Sequence, residues 1–354
     1  MRVVQECIRR GYVVRVYALS WEGPLPEGVD LVVVPVAAVT NHKRYQRFAD
    51  WVHEDLRWRP VNCLVGFNKM PGLDVYYAAD SCYEEKAQQL RRPMYKQTGR
   101  YKLFSKFEHA VFDPDAEVTS LLITNQQKVQ FQKFYGTSDG YLHILPPGIS
   151  PDRQRGPDAA QVRCDFRREF DVADGQVLLL LIGSGFITKG VDRALLAISS
   201  LPDSLLRRVR FFVIGQDNPR QFLRLAEDLG VADQLAIFSG RDDVPRFLQG
   251  SDIMLHPAYL ESGGIVLLEA LVAGLPVIAT DNCGFAPYIE RSEGGVVIPS
   301  PFSQDRLNSE LIRLVEDDDW RARCAANGVR FGRTADIYRM AEHAVDHIEE
   351  RLGG

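Results

Sequence analysis

The stretch HPAYLESGGIVLLEALVAG, residues 256–274, decides the fold. It continues an apolar run, Ile253–Ala258, that reads as a strand. Ser262, Gly263 and Gly264 then suit a tight turn, and Ile265–Val272 has helical apolar character. A strand, a glycine turn and a helix in succession aim free backbone N–H groups at the crevice beyond the strand ends. The helix dipole adds about 0.3–1 kcal/mol toward an anion held there. Two carboxylates, Glu261 and Glu269, are placed to face that crevice from different depths. Glu269 sits between Leu268 and Ala270 in an otherwise apolar helix, where a carboxylate needs a partner. The plainer alternative makes Glu261 a helix-start charge and Glu269 a solvated residue. His256, at the strand end, reads either as a structural hydrogen-bonder or as a neighbour of the site.

The same unit recurs upstream as LLLLIGSGFITKGVDR, residues 178–193. Gly183 ends the strand, and Lys189 stands at the turn, where it can neutralise a diphosphate. GSGFIT nearly spells the dinucleotide fingerprint, but Thr188 replaces the third glycine, which weakens a nicotinamide reading. The Walker A spacing fails too. Further short apolar runs at 211–215, 235–240, 276–280 and 295–299 alternate with helical segments. That alternation implies a parallel sheet covered on both faces, hence a second doubly wound domain over residues 151–332. A last amphipathic helix lies in 333–354 and is expected to cross back to the first domain.

Residues 1–150 show the same alternation, and the proline- and glycine-rich segment 146–156 reads as a linker. The whole is therefore α/β, with two Rossmann-like domains. A doubly wound domain normally opens with a strand and a glycine-rich turn, whereas this chain opens with a helix at 1–10. The expectation is that the first strand of domain 1–150 and its loop are missing. The alternative is a fold that starts with a helix.

The chain has 354 residues, 45% hydrophobic and 25% charged, which suits two globular domains and no low-complexity tract. A net charge of −5 argues against a nucleic-acid binder, so any basic surface must be local. Six cysteines at 7, 63, 82, 164, 283 and 324 form no C-x-x-C pair, and reduced thiols are the plain reading. No apolar run approaches the ~20 residues of a spanning helix, and the start is no signal peptide. One local exception to the acidic balance is the segment 83–112, with seven Lys/Arg, three Glu and six aromatics. Such a segment can lie on an anionic membrane, at about 1 kcal/mol per basic residue near the surface. The alternative is an ordinary solvated helix. Asp113-Pro-Asp115 reads as a turn, and His343 and His347 as surface histidines.

Glu261 and Glu269 spell the E-x7-E signature, which resembles that of retaining glycosyltransferases of the GT-B fold. More specific strings are WEG (21–23), TNH (40–42), GFNKMPGLDVY (66–76), ILPPGI (144–149), KGVDR (189–193), GQDNPR (215–220) and AGLPV (273–277). Together they resemble the lipopolysaccharide core glucosyltransferases I of Gram-negative bacteria, over essentially the whole chain. The resemblance implies transfer of α-glucose, with retention, from UDP-glucose to a heptose of the inner core. It implies two domains facing a cleft, no metal cofactor, no nucleic-acid partner, and a peripheral place on the cytoplasmic face of the inner membrane through 83–112.

By position, it implies that Glu261 contacts the glucose hydroxyls and that the Gly263, Gly264 and Ile265 amides lie near sugar and phosphate. Glu269 would hold the ribose, Lys189 would clamp the diphosphate, and Asp80 would stand near the reaction centre. Arg241 to Asp243 would lie near uracil. Where many relatives carry an arginine after the strand glycine, this chain has Ser184, and Arg153 is the candidate replacement. The family opens with a strand and a Gly-Gly loop that this sequence lacks, so the chain is expected to turn over poorly. Three other readings stand beside this one: another hexose donor or acceptor, a nicotinamide oxidoreductase, and a membrane-binding remnant without activity.

Overall fold

The computed structural model describes residues 1–91 and 93–353. Arg92 of the 83–112 segment and Gly354 at the chain end lie outside the described residues. Two compact units are formed, one of Met1–Pro147 with Arg339–Gly354, the other of Gly148–Tyr338. The division falls at 147/148 and 338/339, against the expected 150/151 and 332/333.

The first unit contains β1 Val14–Ala18, β2 Val29–Val33, β3 Val65–Gly66, β4 Val75–Ala78, β5 Thr119–Leu122 and β6 Leu142–Ile144. All pairings are parallel, but the strands form two sheets, β1-β2 and β3-β4-β5-β6. A cavity of about 450 Å³ is lined by Val14 and Val16 of β1 and by Val65 of β3. β4 was hidden in the sequence. It is four residues long, follows the turn at Pro71–Gly72, and buries Val75, Tyr76 and Ala78 completely. The segment 83–112 is broken into helix Tyr83–Leu90, a 3-10 turn Pro93–Gln97 and helix Gly99–Phe112, the last started by Thr98 accepting from the Tyr101 amide. Asp113 to Asp115 follow as a turn.

The last helix, Met340–Gly353, belongs to the first unit. It buries Val345 and Ile348, and Arg10 pairs with Asp346 (2.7 Å) and Glu349 (2.8 Å) on it. His347, half-buried on its helix, hydrogen-bonds Glu350 three residues on at 2.8 Å, and its ring lies 4.4 Å from that of His143, a contact from a distant part of the chain that local periodicity cannot show.

The second unit contains β7 Val177–Ile182, β8 Val209–Ile214, β9 Leu235–Phe238, β10 Ile253–His256, β11 Val277–Thr280 and β12 Gly295–Ile298. Their order is β12-β11-β10-β7-β8-β9, all parallel. β7 is central because VLLLLI offers apolar side chains to both faces. Leu178 to Leu181 are completely buried, worth about 1.5–3 kcal/mol each. The strand order reverses between β7 and β10, and in such sheets ligands bind beyond the carboxyl ends at the switch point. Both glycine turns singled out in the sequence leave the sheet at that place. Among the described residues no helix is long and apolar enough to cross a membrane.

Candidate functional site

The turn after β10 is built to leave a helix start open. Gly264 precedes helix Ile265–Ala273 in the left-handed region, φ 86°, where a side chain would be strained, and no side chain caps the helix. The first amides of the helix, those of Ile265 and Val266, have no acceptor within it. Ile265 is exposed and the rest of the helix is buried apart from Glu269. The turn is braced from behind by residues 282–285. Glu261 N donates to Asn282 O (3.3 Å), Gly284 N to Glu261 O (3.1 Å) and Phe285 N to Gly263 O (2.8 Å). Arg193 fixes the preceding loop. Its guanidinium is sandwiched between the rings of Tyr259 (3.5 Å) and Phe302 (3.6 Å) and donates to Pro257 O and Ala258 O.

The turn after β7 differs. Gly183 donates its amide to Ile214 O (2.9 Å), and Gly190, φ 75°, opens helix Val191–Ser199. A Cβ on Gly190 would stand 2.1 Å from Pro257 O, so only glycine lets the two switch-point loops touch. The sequence suggested two phosphate-type loops, and in this one two of the loop amides already have an acceptor. Asp217, past the end of β8, accepts from the Gly185 amide and from the Phe186 amide (2.8 Å). Ser184 Oγ accepts from Gln216 N (3.1 Å). The loop is thus held by its own protein carboxylate, and Lys189 is its contribution to charge. Asp217 sits within GQDNPR, but a spacing of 32 residues gave no local sign of the contact.

Three predicted residues meet. Lys189 Nζ forms an ion pair with Glu261 Oε2, and both side chains are mostly buried. His256 Nε2 stands 3.6 Å from the same oxygen, beyond hydrogen-bond length, so its influence there is electrostatic. Burial pushes the Glu261 carboxyl up, but His256 and Lys189 pull it down further and hold it at about 2. Beside them the buried Cys283 thiol is pushed up to about 12 by burial.

Glu269 has the partner its apolar surroundings demanded. Arg153 Nε donates to Glu269 Oε1 at 3.2 Å, from a 3-10 turn, Pro151–Arg153, in the supposed linker. Arg155 N ties that segment to Val272 O (3.0 Å). Arg153 therefore sits on the second carboxylate, the group expected at the ribose. Arg241, past β9, engages Asp243 with two hydrogen bonds (2.7 and 3.0 Å) and lies over the Phe247 ring at 5.0 Å. It joins neither the Lys189–Glu261 pair nor Glu269. Asp80 stands exposed just past β4 in the first unit, its carbonyl accepting from Gln127 Nε2 at 2.9 Å.

A polar cavity of about 250 Å³ at the opposite end of the strands, by Arg163 and Asp252, has those two charges paired at 2.5 Å. Among the described residues no group of three or more His, Cys, Asp or Glu is placed to hold a metal ion.

Comparison with known proteins agrees with this geometry. The family described as Glycosyl transferases group 1 matches residues 162–331. The chain is 44% identical over 354 residues to the lipopolysaccharide glucosyltransferase WaaG of Escherichia coli (strain K12), covering 100% of this chain and 95% of that protein. The crystal structure of WaaG, a glycosyltransferase involved in lipopolysaccharide biosynthesis, superposes with a TM-score of 0.91, covering 98% of this chain and 94% of the other. Anabaena Alr3699/HepE in complex with UDP-glucose shares the fold, with a TM-score of 0.66 at 16% identity over 87% of this chain and 77% of that one.

Proposed function

The chain belongs to the lipopolysaccharide glucosyltransferases of glycosyl transferase group 1 and is a hexosyltransferase of the GT-B fold, and from that premise we propose that it transfers α-glucose, with retention, from UDP-glucose to a heptose of the lipopolysaccharide inner core. The observation that carries this reading is the meeting of Lys189 and Glu261 beside the open start of helix Ile265–Ala273, with Glu269 farther along the same helix. Lys189 turns from Glu261 to the diphosphate. Glu261, ionised at neutral pH and therefore acceptor-only, takes hydrogen bonds from the glucose hydroxyls. Glu269, steadied by Arg153, takes the ribose hydroxyls.

As the bond from the anomeric carbon to UDP breaks, negative charge grows on the β-phosphate. Lys189 and the Gly264, Ile265 and Val266 amides offer it fixed positive ends. The acceptor hydroxyl attacks from the leaving-group face and gives its proton to a phosphate oxygen. Asp80 is proposed as a further residue of the reaction. No resident metal is required in this scheme.

The same reading places the protein on an anionic membrane surface. In the 83–112 segment Lys86, Arg91, Lys96, Arg100, Lys102 and Lys106 are exposed, while Glu108 is buried and Glu84 is bound by Lys96 (2.6 Å) and Tyr101 (2.5 Å). With Lys96 spent on Glu84, five exposed basic residues among those described face only the half-buried Glu85, a basic outward face that favours anionic headgroups.

The test is a donor screen with a lipopolysaccharide core acceptor, with and without EDTA. Transfer from UDP-glucose, indifferent to EDTA and lost in Glu261→Ala, is the expected result. Preference for another nucleotide sugar would replace the donor, and loss of activity in EDTA would overturn the metal-free scheme. Absence of UDP binding by calorimetry would end the reading.

A further inference from the structure

His256 is completely buried at the carboxyl end of β10, and neither of its ring nitrogens has a hydrogen-bond partner. Buried polar atoms are almost always partnered, and the exceptions concentrate where a protein acts. The backbone leaves the ring little freedom. His256 pairs with Ala279 of β11, and its carbonyl accepts from Ala258 N at 2.9 Å. Its Nε2 faces Glu261 Oε2 at 3.6 Å, the same oxygen that Lys189 holds. One carboxylate oxygen thus has a cation in contact and a second donor held just out of reach.

We propose that His256 is a positioning residue that takes over Glu261 when Lys189 turns to the diphosphate. This rests on the roles given above to Lys189 and Glu261. Without its lysine, Glu261 would be a mostly buried carboxylate with no protein donor, left to the neutral hydroxyls of the sugar alone, and a buried charge so weakly compensated is costly. An approach of roughly 0.7 Å, from 3.6 Å to the usual length of about 2.9 Å, closes the hydrogen bond from a proton on Nε2. Glu261 then stays ionised and aimed at the sugar while Lys189 serves the phosphate. The exchange links two events: the lysine is released to the leaving group as the sugar-gripping carboxylate gains a second holder. His256 acts through Glu261 and touches no substrate.

Two measurements on the full chain test this. The first is a thermal-melting cycle of His256→Leu and Lys189→Met. With Lys189 present, His256→Leu should move the midpoint little. In the Lys189→Met background, where His256 already holds Glu261, the same change should cost several degrees more. Additive effects would overturn the proposal.

The second is calorimetry with UDP-glucose. His256→Leu should weaken binding about tenfold, the contribution of a charge-assisted hydrogen bond. His256→Gln, whose amide nitrogen replaces Nε2, should recover it to within about threefold. Unchanged affinity in the leucine variant, or equal loss in both variants, would refute the exchange. If the unaltered chain binds no UDP, the donor reading falls, while the melting cycle still decides whether His256 and Lys189 share Glu261. Should the leucine variant not fold, the ring resonances of His256 in the ¹⁵N-labelled chain decide. A slowly exchanging Nε2 proton appearing with UDP-glucose upholds the proposal, and an unchanged spectrum overturns it.

Discussion

Glu108 in the first unit and Glu261 in the second are both carboxylates shielded from solvent, and each faces a lysine. Around Glu108 every position is filled. Lys69 Nζ lies at 2.6 Å, the amides of Tyr83 and Glu84 donate at 2.8 and 3.0 Å, the Tyr135 hydroxyl at 2.5 Å, and the Cys82 thiol at 3.8 Å. Glu261 has Lys189 and a histidine too far away to bond. The first carboxylate is an anchor that fastens the start of helix Tyr83–Leu90 to helix Gly99–Phe112. The second has one donor in contact, the lysine that the proposed function sends to the diphosphate. Residue type is the same and both are largely shielded, Glu108 fully and Glu261 mostly, so the contrast lies chiefly in the number of donors around the charge.

Removing the saturated carboxylate should give the largest effect. Glu108→Ala strips a buried ion pair and orphans two amides. It should destabilise the first unit by about 3–5 kcal/mol, measured by denaturant unfolding. A loss under 1 kcal/mol would mean that the filled shell is not an anchor. Lys189→Ala attacks the open pair. It should lower kcat/KM roughly 10²–10³-fold while the melting temperature moves little. A large fall in stability with activity intact would reverse the comparison.

Gly190→Ala comes next, combining a left-handed backbone with the approach to Pro257 O. It should cost about 1–3 kcal/mol, and activity should fall with it because the two switch-point loops separate. The smallest effect is on pH dependence. The Glu261 carboxyl is depressed from 4.5 to about 2, so its stabilising contribution is complete above pH 4.5 and is lost as pH falls toward 2. Glu261→Gln should therefore flatten the decline in melting temperature between pH 5 and pH 3. An unchanged slope would show that the pair contributes nothing to the folded state.

Much of the second unit could be read in advance. Val177–Ile182, Ile253–His256 and the glycine turns behind them are local patterns, and apolar runs bounded by glycine leave few alternatives. Glu269 declared its need for a partner because it interrupts leucines and alanines. The partner itself, Arg153, came from a segment read as a linker, 116 residues away. Asp217 and Glu108 were passed over for the same reason. One looked like a loop acid and the other like one of three glutamates in a basic stretch, and only packing turned each of them inward. The basic character of 83–112 was legible as composition. Which of its charges face outward was not.

The sequence by itself determined the parallel architecture, the two glycine turns and the pair of glutamates, because these depend on periodicity and on neighbours a few residues apart. Tertiary structure alone decided which amides remain open, which carboxylate is saturated, and that His256 waits unpartnered beside Glu261. Those outcomes depend on groups brought together from distant parts of the chain, where a few tenths of an ångström separate a bond from a near miss.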